Sequence, residues 1–106
     1  MTATTGFERD NTGFFIRKDP ESVMDYFIDY STFLESGDSI SSQTTTADTG
    51  LTVDSSAIES GNKKIKHILS GGTAGTTYDV KTTAVTADGL TLVHRYRIKC
   101  ENIYLT

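Results

Sequence analysis

"TYDVKTTAVTADGLTLVHRYRIKCE", residues 77–101, sets two β-prone runs on either side of Asp88-Gly89. A two-residue Asp-Gly loop between alternating runs is the strongest short-range signal for a β-hairpin, because the tight turn needs residues that tolerate positive φ. In the second run Leu90, Leu92, His94, Tyr96, Ile98 and Cys100 share one parity, and Arg95, Arg97 and Lys99 share the other. Successive side chains of a strand point to opposite faces, so this run predicts a strand with an inward apolar face and an outward basic one.

Immediately upstream, "HILSGGTAGTTYDV" (67–80) couples an apolar run to a glycine-threonine cluster. A phosphate-gripping loop needs GxxxxGK[ST] with a helix behind it, so that amides and a lysine converge on the anion. Gly71-Gly72-Thr73-Ala74-Gly75-Thr76 has no such lysine, and the residues after it alternate as a strand does. The glycines are therefore expected to supply positive φ where the chain crosses from one sheet to another. Tyr78, opening the penultimate strand just after that turn, stands where a tyrosine corner would return its hydroxyl to nearby backbone; the plainer alternative is an ordinary core aromatic.

The rest of the chain reads in the same way. "GFFIRK" (13–18) is a strand closed by Asp19-Pro20, since proline cannot donate to a ladder. "VMDYFIDY" (23–30) alternates, with Met24, Tyr26, Ile28 and Tyr30 on one face, Asp25 and Asp29 on the other, and Phe27 outward among the aspartates. "STFLESGD" (31–38) predicts a single helical turn over a tucked Phe33-Leu34 pair, ended by Gly37. "SISSQTTTA" (39–47) is β-prone but almost wholly polar, which suits a sheet edge. Residues 50–62 read as two short strands broken at Asp54-Ser55. In 63–70, Ile65, His67 and Leu69 share one parity and Ile68 takes the other.

Short strands at regular intervals without a convincing helix give the fold class: all-β, an immunoglobulin/fibronectin-III-like antiparallel β-sandwich of about seven strands. Residues 1–12, polar and without period, read as a flexible N-terminal arm, and 13–106 as a single domain. At 106 residues with 36% hydrophobic and 23% charged, one modest core is expected. About a quarter of the residues are Ser or Thr, which is β-rich composition. No apolar run is long enough to span a bilayer, and the N-terminus lacks the basic and apolar regions of an export signal, so no membrane partner is expected.

Candidate chemistry is sparse. Cys100 is the sole cysteine, so no internal disulfide forms, as suits a reducing cytoplasm. As a nucleophile it would need a base such as His94, but six strand residues separate the two by roughly 20 Å. Cys100 therefore reads as a small buried hydrophobe, and His94 and His67 as satisfied core histidines. One cysteine and two histidines offer no paired metal spacing, and Asp25 and Asp29 lie about 13 Å apart along a strand. No catalytic residue, metal, cofactor or small-molecule substrate is expected, and the chain is not read as an enzyme.

The net charge of −4 hides an asymmetry: residues 1–60 carry 3 basic and 11 acidic groups, and residues 61–106 carry 7 basic and 3 acidic. Either solvated faces simply differ in sign, or opposite charges lie on opposite faces so that copies stack through complementary patches. Arg95 and Arg97, with Asp25 and Asp29 as counterparts, are the candidate subunit contacts. An acidic chain of pI about 5.0 without a nucleic-acid motif argues against nucleic acid as partner.

Residues 23–38, "VMDYFIDYSTFLESGD", and 67–80 together resemble a family of small phage and prophage virion proteins described as fibre-tail adaptors. Asp25, Tyr26, Ile28, Asp29, Tyr30, Ser31, Phe33, Leu34, Gly37 and Asp38 match its D-Y-x-I-D-[WY]-S-x-[WF]-L-x-x-G-D run. Leu69 to Thr76 and Tyr78 match its second run, W-L-S-G-G-T-A-G-T-x-Y. Tyr30, Phe33 and Ile68 stand where tryptophan is usual, all keeping apolar character. The resemblance implies a non-enzymatic structural role in the virion, at the head-tail neck or tail. There the chain would join tail or portal components to fibres, as a homo-oligomeric ring assembled in the bacterial host cytoplasm. The competing reading is an immunoglobulin-like binding module for a surface glycan or protein partner, to which Phe27 alone points.

Overall fold

The computed structural model describes residues 7–59 and 61–104. Among these residues eight strands form two sheets: β1 (Phe7–Asp10), β2 (Gly13–Lys18), β8 (Thr91–Cys100), β7 (Thr77–Thr86) and β4 (Ile40–Ala47) in that spatial order, and β3 (Met24–Asp29), β6 (Lys64–Gly71) and β5 (Leu51–Glu59) in the other. No helix occurs among the described residues. The trio β4-β7-β8 against β3-β6-β5 has the C-F-G and B-E-D arrangement of an immunoglobulin-like sandwich.

The hairpin read from Asp88-Gly89 is present, with Tyr78 opposite Ile98 and Ala84 opposite Leu92. Its connection is four residues long, because Leu90 falls in the turn, 46% exposed, instead of joining the inward face of β8. Tyr96, Ile98 and Cys100 are buried, while Leu92 and His94 are half-buried.

The core has two parts. One joins Ile16, Tyr26, Leu51, Leu69, Tyr78, Val80, Tyr96, Ile98 and Cys100; the other joins Tyr30, Ile40, Ile65 and Ala84. Both draw side chains from the two sheets, so neither sheet can bury its apolar face alone.

Four expectations are corrected. The sheets are not wholly antiparallel: β2 lies parallel to β8, with Phe15 opposite Arg97 and Lys18 opposite Cys100. A chain that must leave β2 for the other sheet at Asp19-Pro20 can enter alongside the last strand in either direction. Phe7–Asp10, expected in the flexible arm, pairs with β2, closed by an Asx turn in which Asp10 Oδ1 accepts from Thr12 N–H at 2.8 Å, while residues 1–6 lie outside the described residues. Residues 51–59 form one strand with a β-bulge between Val53 and Ser55, not two strands. The 31–38 segment makes the single turn expected, with Phe33 N–H and Leu34 N–H donating to Tyr30 O, but Phe33 is half exposed instead of tucked beneath it.

Candidate interaction surfaces

The glycine cluster sits at one end of the sandwich, where β6 hands the chain to β7 in the opposite sheet. Gly71, Gly72 and Gly75 all have positive φ. Gly72 is further constrained by packing: a Cβ there would collide with Cys100 Sγ and come 3.4 Å from the Tyr78 ring. From the other side, a Cβ on Gly50 would meet the same ring at 3.0 Å. Two loops thus cradle one tyrosine, and their backbones join through Gly72 N–H to Gly50 O at 3.0 Å. The Tyr78 hydroxyl accepts from Thr73 N–H at 2.9 Å, five residues upstream. Nearby Lys18, 1% exposed, donates from Nζ to Asp19 O (2.9 Å) and Gly71 O (2.8 Å), tying the end of β2 to the end of β6 across the sheets.

The opposite end gathers Tyr30, Phe33 and His94, with ring centroids 4.6 to 5.8 Å apart. Burial pushes the Tyr30 hydroxyl up to about 12. His94 departs from the expected satisfied core histidine: it is half-buried and its Nδ1 has no partner among the described residues. The rings of Tyr30 and Phe33 pack against the imidazole and bury that nitrogen without supplying a bond to it. Asp38 at this end is 1% exposed; its burial opposes ionisation, but Ser39 N–H and Asp88 N–H donate to its Oδ1 and hold the carboxyl below its ordinary range.

Between the ends, a polar network crosses the core. Gln43 Nε2 donates to Ser56 Oγ at 2.7 Å, which leaves Gln43 Oε1 to accept the Thr45 hydroxyl at 2.7 Å. That commits the only hydroxyl proton of Thr45. Its 3.0 Å contact with His67 Nε2 then needs the proton on the ring, and Nδ1 accepts from the Tyr96 hydroxyl at 2.9 Å. Thr82 Oγ1 also lies 3.0 Å from Nε2. His67 is 0% exposed, and burial holds its pKa down at about 4. The ring is neutral, and it links β6 to β4, β7 and β8.

The outer faces carry the charges. On the five-stranded sheet, Phe15 points outward yet is only 6% exposed, because cations cover it: Lys99 Nζ is 3.9 Å from the ring centroid, and the Arg97 guanidinium carbon 5.5 Å. Arg97 is not free: Nη1 donates to Asp10 Oδ2 (3.1 Å) and Nη2 to Asp10 Oδ1 and to Gly13 O (3.0 Å). This fork, with Thr12 N–H and Lys99, holds the Asp10 carboxyl far below its usual range. Arg95 lies on the same face, directly opposite Lys81, and neither has an anionic partner among the described residues. Like charges facing each other across a pair of strands are destabilising on their own.

Asp25 and Asp29 lie on the outer face of the other sheet, opposite Ile68 and Lys64 of β6. Asp29 accepts from Ser31 N–H and Oγ, which lower its pKa. The structure therefore does not bring the two candidate arginines and the two aspartates together within one copy. It puts them on opposite faces of the sandwich. Sequence reasoning missed Asp10 and Lys18, and gave Asp38 no structural role beyond its match to the family run. For Asp10 a signal existed, the turn-forming Asp10-Asn11-Thr12-Gly13 between two β-prone runs. Among the described residues no group of three or more metal-ligating side chains is gathered.

No curated protein matches the chain. Residues 18–99 match a family model described as "Podophage GP4 fiber-tail adaptor protein gp77". That span runs from the buried lysine at the end of β2 to the outward lysine near the end of β8, and so takes in both quoted motifs. The chain belongs to this family of phage fibre-tail adaptors, structural proteins of the virion.

Proposed function

We propose that this chain is a non-enzymatic adaptor that sits in many copies around a ring at the head-tail neck or tail and joins portal or tail components to fibres. The observation that supports a multi-copy role is the separation of charge: Arg95, without an anion among the described residues, on the outer face of the five-stranded sheet, and Asp25 on the outer face of the three-stranded one. A domain with complementary opposite faces can add copies head to tail. Arg97 serves chiefly within its own copy, clamping β1 through Asp10, so Arg95 and Asp25 are the stronger contact pair, with Asp29 beside them. Tyr78 acts as a tyrosine corner, supported by its bond from Thr73 N–H. The domain takes in β1 as well, since Phe7–Asp10 pairs with β2, and folding in the bacterial cytoplasm suits its single buried thiol.

Quantitative mass spectrometry of purified virions tests the proposal: the chain is expected in multiple copies per particle. Its absence from particles would overturn the assignment. Arg95→Glu is expected to lower incorporation, and Asp25→Lys in the same chain to restore it.

A further inference from the structure

Among the described residues four strands stand at sheet edges, and three of them are guarded. β3 carries Asp25 and Asp29, β5 carries Asp54, Glu59 and a bulge, and β1 is only four residues long. The fourth, β4, reads ISSQTTTA: eight residues without a charge or a proline, regular from Ser42 to Ala47. Such an edge exposes a row of backbone donors and acceptors, and proteins that stay monomeric blunt it.

Strand direction identifies what would fit it. β4 runs antiparallel to β7, which runs antiparallel to β8; β2 is parallel to β8, and β1 is antiparallel to β2. β1 and β4 are the two outer strands of the five-stranded sheet, and they run in opposite directions. A second copy set beside the first in the same orientation therefore presents its β1 antiparallel to β4.

The charges of β1 do not prevent this, because they are satisfied within their own copy. Glu8 bridges Arg17 at 3.3 Å, Asp10 bridges Arg97 and Lys99, and Arg9 lies over the Phe14 ring. The ladders put Arg9 and Ala47 in one row across the sheet, so an unsheared neighbour sets its Asp10 opposite Thr46. That row continues into Lys81 and Arg95, two cations without an anionic partner among the described residues.

We propose that β4 of one copy receives β1 of a second copy as its next strand, antiparallel, extending the five-stranded sheet from copy to copy. Because the two edges differ, the contact is heterologous and each copy can use both, as a ring requires. This rests on the multi-copy reading above, but it is an edge-to-edge contact distinct from the face-to-face one between Arg95 and Asp25, which do not meet across it.

The test is sedimentation velocity of the full chain from micromolar to millimolar concentration. Wild type is expected to self-associate, T44K/T46K to weaken association more than about 10-fold, and T44V/T46V to retain it. T52K/S55K adds the same charge on exposed positions of β5 and should leave association unchanged. If T44K/T46K associates like wild type, the edge proposal is overturned while the multi-copy reading stands. A wild-type chain that stays monomeric at millimolar concentration also overturns the edge pairing, and virion copy number then judges the adaptor reading separately.

Discussion

Acidification should unfold this domain earlier than its carboxylates alone would dictate, because of His67. The ring is fully buried and neutral, with its pKa lowered by burial to about 4 against 6.5 in the unfolded chain. Above pH 6.5 neither state holds the proton, and the histidine adds no pH dependence. As pH falls through 6.5 the unfolded state binds a proton that the folded state refuses, so stability drops. By linkage the loss is about 2 kcal/mol at pH 5 and about 3 kcal/mol at pH 4, a large part of the roughly 5–15 kcal/mol typical of a domain. Asp10, Asp19, Asp29 and Asp38 are held below their ordinary range, so they cost stability only as pH falls below about 4. The interval from pH 6.5 to 4.5 therefore isolates the histidine's contribution. Urea denaturation followed by far-UV circular dichroism at half-unit pH steps measures it. His67→Gln should lower stability at pH 7 by about 1–3 kcal/mol, through lost bonds to Tyr96 and Thr82, and should remove most of the slope. A wild-type stability that is flat across the interval, or a slope that survives in His67→Gln, would refute the reasoning.

Two further substitutions probe the glycine-cradled end. Gly72→Ala meets both a positive φ and the Cys100 sulfur, and should destabilise by more than about 2 kcal/mol in thermal unfolding; Cys100→Ala in the same chain should recover part of that, and full additivity would show that the two do not touch. Tyr78→Phe removes the acceptor for Thr73 N–H and should cost about 1 kcal/mol, with faster amide exchange at Thr73 as its local signature; unchanged exchange would count against the bond.

Local pattern carried the hairpin, the inward face of β8 from Tyr96 to Cys100 and the polar edge at 39–47, because each depends on alternation or turn chemistry within a few residues. It misjudged Leu90, Met24 and Phe33, whose parity or position was right for burial. They lie at strand ends or in turns, where the opposing sheet covers them only in part, and are 46%, 47% and 50% exposed. His67 and His94 looked alike in sequence. One is closed in by strands of both sheets, and the other packs against the rings of Tyr30 and Phe33, which supply no bond to its Nδ1.

The amino-acid order by itself determined that this is a strand-built sandwich, that its glycines turn the chain instead of gripping an anion, and that its motifs are those of the fibre-tail adaptors. All three follow from contacts between residues close in the chain or from motifs read directly. Only the tertiary structure decided that β2 lies parallel to β8, that Arg97 is held by Asp10, that Lys18 is buried between carbonyls, and that β1 and β4 bound one sheet with opposite directions. Each of these depends on partners brought together from distant parts of the chain, and a sequence orders residues without saying which strands become neighbours.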